Sequence, residues 1–223
     1  MRNAGISGAC LDLLYRVLHR ATRFMALTML SLTPDGVDPT FLSDRSEYAH
    51  RFLSGTQLAA FAHDPVNEMP EDFVSRALAK GDRCYAILDG ETLASYGWYA
   101  RAETPVTEDL TLHFHSEWAY MYKGFTRPEY RGQRLHAIGM ARAMMEHVRE
   151  GSRGVVSFVE ANNFSSLKSC YRMGYAKAGT IVALKLMGRY FIRVSRGCEP
   201  LGLGLRPVDA APAAPRGPRR SEG

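Results

Sequence analysis

The stretch from Phe125 to Ala137, Phe-Thr-Arg-Pro-Glu-Tyr-Arg-Gly-Gln-Arg-Leu-His-Ala, constrains this chain more than any other. An apolar segment runs through a basic, glycine-containing turn into a helix whose Leu135, Ile138, Ala141, Met145 and Val148 form one apolar stripe. A strand that turns directly into an amphipathic helix predicts a helix packed back on a sheet. Backbone N–H groups exposed at such a helix start, together with the helix dipole, offer a site for a pyrophosphate. Arg127, Arg131 and Arg134 supply charge-assisted contacts around it.

The surrounding pattern places this turn in a mixed sheet. Leu11, Leu14, Val17 and Leu18 recur at helical spacing and predict an amphipathic helix over 1–23, packed on the domain or resting on a membrane surface or partner. Phe24 to Leu32 reads as a first strand ending at Thr33-Pro34-Asp35-Gly36. A helix follows Pro70 and stops at Gly81, with Glu71 and Asp72 suited to its positive end. Then come a hairpin over 83–101 turning at Asp89-Gly90, a strand over 117–126, a strand over 155–159, a helix over 163–173 and a strand over 176–186. This order predicts an α/β (α+β) fold, a mixed central β-sheet flanked by helices with a βαβ crossover in the second half. The domain spans 24–206, and 207–223, rich in Pro, Ala and Arg, reads as a tail that cannot bury a core.

Composition narrows the function classes. A chain of 223 residues fits one sizeable domain, and 46% hydrophobic with 23% charged residues is the balance of a soluble globular protein. The net charge of +5 favours anionic partners, but no Lys/Arg run interleaves with aromatics as a nucleic-acid groove requires. Cys10, Cys84, Cys170 and Cys198 lack paired spacing, and no segment reads as a signal peptide or membrane span, so a cytoplasmic setting is expected. His113, His115 and Glu117 alternate along a strand in a pattern more common on surfaces than at metals. Trp98, Tyr99, Trp118, Tyr120 and Tyr122 concentrate aromatics in neighbouring strands, as core or as the lining of an acyl or acceptor pocket.

A second motif follows at crossover distance, Glu160-Ala161-Asn162-Asn163-Phe164-Ser165-Ser166 through Gly174-Tyr175. Pro128-Glu129-Tyr130-Arg131-Gly132 and the spacing from Asn163 to Gly174-Tyr175 together resemble the GNAT acetyltransferase superfamily, over about the last half of the folded chain. Arg134 and His136 stand where that family's loop carries further glycines.

The resemblance implies a GNAT-like fold and direct transfer of an acyl group from acetyl-CoA or a longer acyl-CoA to an amine, from a small molecule or peptide. An acyl carrier protein as donor, or a non-catalytic domain that binds acyl thioesters or docks a partner, is the alternative. It assigns cofactor contacts to Phe125, Thr126, Arg131, Gly132, Gln133, Arg134, Leu135, His136, Ala137, Asn163 and Ser166. The family's tyrosine acid maps to Cys170, with Tyr171 one residue on and about 100° round the helix. Glu117, near the start of the central strand, and Glu160, at the end of the next, are the candidate bases.

Overall fold

A computed structural model of the protein describes residues 23–43 and 47–208. The expected helix over 1–23 and the expected tail lie outside those residues, apart from Arg23, Pro207 and Val208. The chain enters β1 (Met25–Leu32), forms the short β2 (Ala49–Phe52), and then two helices, α1 (Gly55–Ala62) and α2 (Glu71–Ala79). A meander follows: β3 (Arg83–Asp89), β4 (Thr92–Ala100), β5 (Thr104–Pro105), β6 (Leu110–His113) and β7 (Trp118–Thr126). The second half is α3 (Leu135–Arg149), β8 (Gly154–Glu160), α4 (Phe164–Arg172), β9 (Ala176–Leu186), β10 (Arg189–Val194) and β11 (Gly204–Pro207).

Eight strands form one sheet in the order β10-β9-β1-β8-β7-β4-β3-β2, and β11-β6-β5 form a second, smaller one. Within the large sheet β7 and β8 run parallel, joined by the α3 crossover, and the other pairs are antiparallel. This is the mixed sheet flanked by helices that the sequence predicts.

Local chemistry explains the helix ends. Ser54 and Gln57 close a reciprocal capping box on α1, and Asp72 pairs with Arg76 one turn on in α2 at 2.7 Å. Asn163 caps α4 by accepting from the Ser166 amide at 3.1 Å. One face of the sheet packs on α3 and α4 through Leu30, Leu32, Ile138, Ala141, Met144 and Tyr175. The other face is covered by the small sheet, around Leu27, Tyr120 and Leu112, and by α1 and α2, around Leu58, Val74 and Trp98. Trp98, Tyr99, Trp118 and Tyr120 are at most 5% exposed and belong to this core.

Short, half-exposed strands are what the sequence conceals. In β2 the burial alternates exposed and partial over only four residues, too little apolar period to read without its partner β3.

Candidate functional site

The site begins where β7 and β8 part. Their pairing is confined to Trp118, Ala119 and Tyr120 opposite Gly154, Val155 and Val156, although both strands continue. The cause lies on the other edge of β7. Met121 pairs with Tyr99 and Lys123 with Trp98, which leaves Tyr122 as an extra residue. Such a bulge bends the strand and resets which side chains face which layer. Met121 packs toward α3, Tyr122 toward the opposite layer, and Gly124 again lies under α3.

The bulge is anchored. Tyr122 Oη donates to Asp82 Oδ2 at 2.8 Å, and the buried Asp82 carboxylate also takes Lys80 Nζ at 2.6 Å. Burial and the Asp82 hydrogen bond push the Tyr122 phenol pKa up, so it stays protonated. At the fork itself, Ser157 Oγ donates to the Met121 carbonyl at 3.0 Å. The opening beyond is a cleft of about 380 Å³, lined by Met121, Tyr122, His136, Phe158, Ser166 and Cys170 among others.

The second part is the turn that follows β7. Gly132 has φ +84° with nothing within 4 Å of where a Cβ would stand. Arg134 takes the left-handed conformation, φ 63°, immediately before α3, and makes no side-chain cap. The first amides of α3 therefore lack a cap from the preceding side chain, and Arg131 and Arg134 before them are exposed. Around them the loop is tied down. Tyr130 Oη donates to Asp89 Oδ2 at 2.8 Å, and Tyr48 Oη to Gln133 Oε1 at 2.7 Å. Arg127 binds Asp64 at 2.6 Å and Asn67 at 3.0 Å, so this guanidinium serves the loop's base and is not free for a phosphate. A second cleft of about 590 Å³ opens here between Asp38, Arg134, His136, Ala137, Ser169 and Arg172.

The two clefts share His136, Ser169 and Met173. Burial holds the His136 imidazole pKa down to about 4, so the ring is neutral near pH 7. On α4, Ser166, Ser169, Cys170 and Met173 fall on one helical stripe and line the first cleft. Phe164, Leu167, Lys168 and Tyr171 form a separate stripe facing a surface hollow, and Tyr171 is 46% exposed. Of the two acid candidates, then, Cys170 reaches the cleft and Tyr171 does not. Burial raises the Cys170 thiol pKa.

The remaining expected residues divide as follows. The Phe125 ring lies tilted against Tyr96, 5.6 Å between centroids, in the layer away from α3. The Thr126 hydroxyl lies 2.9 Å from Ser95 Oγ, and its carbonyl accepts from Arg131 Nε at 3.3 Å. The Leu135 side chain is buried in the core, so only its backbone is available to a ligand. Asn163 is spent on capping α4, and its neighbour Ser166 lines the cleft. Glu160, exposed at the end of β8, shares the sheet face of the cleft residue Phe158. Glu117 sits just before β7 at the paired end of the fork and binds Arg153 at 2.8 Å; the structure does not bring it to the cleft. His113 Nδ1 is 3.0 Å from the Gly202 carbonyl, a structural tie between the small sheet and its neighbouring turn.

Ser169, Met173, Arg172 and the Asp82 anchor are site features the sequence reading passed over. The α4 stripe was available from helical period alone; the Asp82–Tyr122 bond, 40 residues apart, was not.

No protein-family model matches the sequence, and no curated protein does. Solved structures do resemble it. A GCN5-related N-acetyltransferase-like protein from Streptococcus suis superposes with TM-score 0.50 at 15% identity, over 82% of this chain and 67% of the other. A GNAT-family acetyltransferase from Colwellia psychrerythraea gives TM-score 0.51 at 15% identity, over 78% of this chain and 62% of that one. The architecture is thus that of the solved structures it superposes on, a mixed sheet flanked by helices. More particularly, the chain has the fold of the GNAT superfamily.

Proposed function

We propose that the protein transfers an acyl group from an acyl-CoA to an amine. The observation that carries this reading is the adjacency of an uncapped, basic helix start and a forked strand pair, two clefts that share His136, Ser169 and Met173. A donor with an anionic end and a long, narrow reactive arm has the shape of that path.

The chain's own groups divide the work. The amides at the start of α3, with Arg131 and Arg134, hold the pyrophosphate. The edge of β7 from Gly124 to Thr126, unpaired by β8, lies along the arm, and its N–H groups polarise the carbonyl. Acyl-CoA supplies an activated thioester. The amine nitrogen bonds to the acyl carbon, the carbon–sulfur bond breaks, and the sulfur leaves with the bonding pair. Glu160, through solvent, receives the proton lost by the amine. A thiol ionises near pH 8.5, so the leaving thiolate takes its proton from water without a strong acid. Cys170, with its raised pKa, is a poor proton donor and lines the cleft chiefly by its bulk.

Isothermal titration with acetyl-CoA and a longer acyl-CoA tests the donor site, repeated on Gly132→Glu, which sets a carboxylate against the pyrophosphate. Binding that weakens at least about tenfold in the variant is expected. A folded wild type that binds neither overturns the reading. A second reading, a domain that binds thioesters without turnover, draws on the His136 ring standing between the clefts. Thiol release with any amine in a screen excludes it.

A further inference from the structure

Gly97 of β4 and Gly124 of β7 stand directly opposite each other. Two missing side chains on adjacent strands leave a hollow in the sheet under α3. A Cβ on Gly97 would lie 3.1 Å from Tyr99 Oη, and a Cβ on Gly124 only 2.2 Å from His136 Cε1 and 3.0 Å from Nε2. The imidazole is therefore seated in the place the Gly124 side chain would take. No Cβ could coexist with the ring in this position.

The placement matters because of what lies on either side. His136 belongs to the uncapped first turn of α3, and it lines both clefts. The wall opposite it, Ser169 and Met173 on α4, is likewise common to both. An extended group laid from the start of α3 along the β7 edge at Gly124 to Thr126 meets the imidazole at Gly124, the position the ring now covers.

We propose that the His136 side chain is a specificity-determining gate, which limits passage of the donor's pantetheine arm from the anion-binding turn into the fork between β7 and β8. The inference rests on the acyl-CoA reading. A ring that must leave the Gly124 hollow before the arm can enter lowers apparent affinity by the fraction of molecules in which it has left. The ligand's two ends then respond differently: the phosphates bind outside the gate and the arm inside it.

Titrations of the full chain with CoA and with adenosine 3′,5′-bisphosphate, which lacks the arm, separate these. His136→Ala is expected to bind CoA about tenfold tighter than wild type, as for a ring displaced in roughly one molecule in ten, with the bisphosphate unchanged. His136→Phe, similar in size but without nitrogen, keeps the wild-type CoA affinity or weakens it. His136→Ser repeats the alanine test should alanine impair folding, each variant being checked by its melting curve. Equal CoA affinity in wild type and the small-residue variants overturns the gate. Weaker binding of both ligands in those variants overturns it too, and makes the imidazole a phosphate contact. In both cases the acyl-CoA reading stands. If neither wild type nor variants bind either ligand, that reading falls and the gate with it.

Discussion

Replacing Gly174 by alanine should loosen the wall of the cleft by a calculable route. Gly174 ends α4 with φ +96°, and an added Cβ would stand 1.8 Å from the Gly36 carbonyl oxygen and 2.7 Å from its carbon. Both are backbone atoms of the turn after β1, so no side-chain rotation relieves the contact. Left-handed backbone costs an L-residue about 1–2 kcal/mol. Forcing apart two packed backbones adds about 1–3 kcal/mol. Gly132 supplies the control, with φ +84° and open space around it, so Gly132→Ala incurs the conformational cost alone. Urea denaturation followed by circular dichroism should place Gly174→Ala about 2–5 kcal/mol below wild type and Gly132→Ala about 1–2 kcal/mol below. For a domain of this size the first corresponds to a melting shift of at least about 4 °C. Equal losses in the two variants would refute the claim that α4 is fixed by glycine–glycine backbone contact.

Three further perturbations test other parts of the structure. Tyr122→Phe removes one partner of the buried Asp82 carboxylate and should cost about 1–3 kcal/mol by the same denaturation assay, whereas no loss would mean that the bulge is not anchored there. His147, fully buried between Phe52 and Tyr99 with no hydrogen bond to its ring nitrogens, has its pKa held near 4 by burial instead of 6.5. The unfolded chain takes up that proton first, so stability contributed above pH 6.5 is lost as pH falls toward 4, on the order of 3 kcal/mol. His147→Phe should reduce that slope in pH-dependent denaturation, with His136 supplying the remainder; an unchanged slope counts against it. Asp109, held down to about 2 by Lys185 and then Tyr190, contributes stability present above its ordinary 3.8 and lost as pH falls through 2. Asp109→Asn should lower the melting temperature at pH 7 and narrow its gap to wild type by pH 2, and a gap independent of pH would exclude the linkage.

Much of the fold was legible because its informative signals are local. The period of α3, the strand β9 and the turn at Asp89-Gly90 each declare themselves within about ten residues, where side-chain alternation and turn chemistry operate. The basic turn was legible for the same reason: Phe125 to Ala137 carry strand end, glycine, arginines and helix start in one run. The candidate bases were not. Glu117 stands at the start of its strand and Glu160 at the end of the next, and only the parallel pairing of β7 and β8, with the fork at one end, leaves Glu117 beside Arg153 and Glu160 near the opening.

The choice between Cys170 and Tyr171 likewise turned on which side of α4 faces the fork. One residue rotates a helix by about 100°, and only the core in which Cys170 and Met173 meet Met140 of α3 decides which side is inward. The sequence by itself determined the mixed α/β class, the order of its longer elements and the basic turn, because these follow from local period and chemistry. Tertiary structure alone decided the Tyr122 bulge, the Asp82 anchor and the seating of His136 over Gly124, because each joins residues that the chain holds at least 12 positions apart and only the paired sheet brings together.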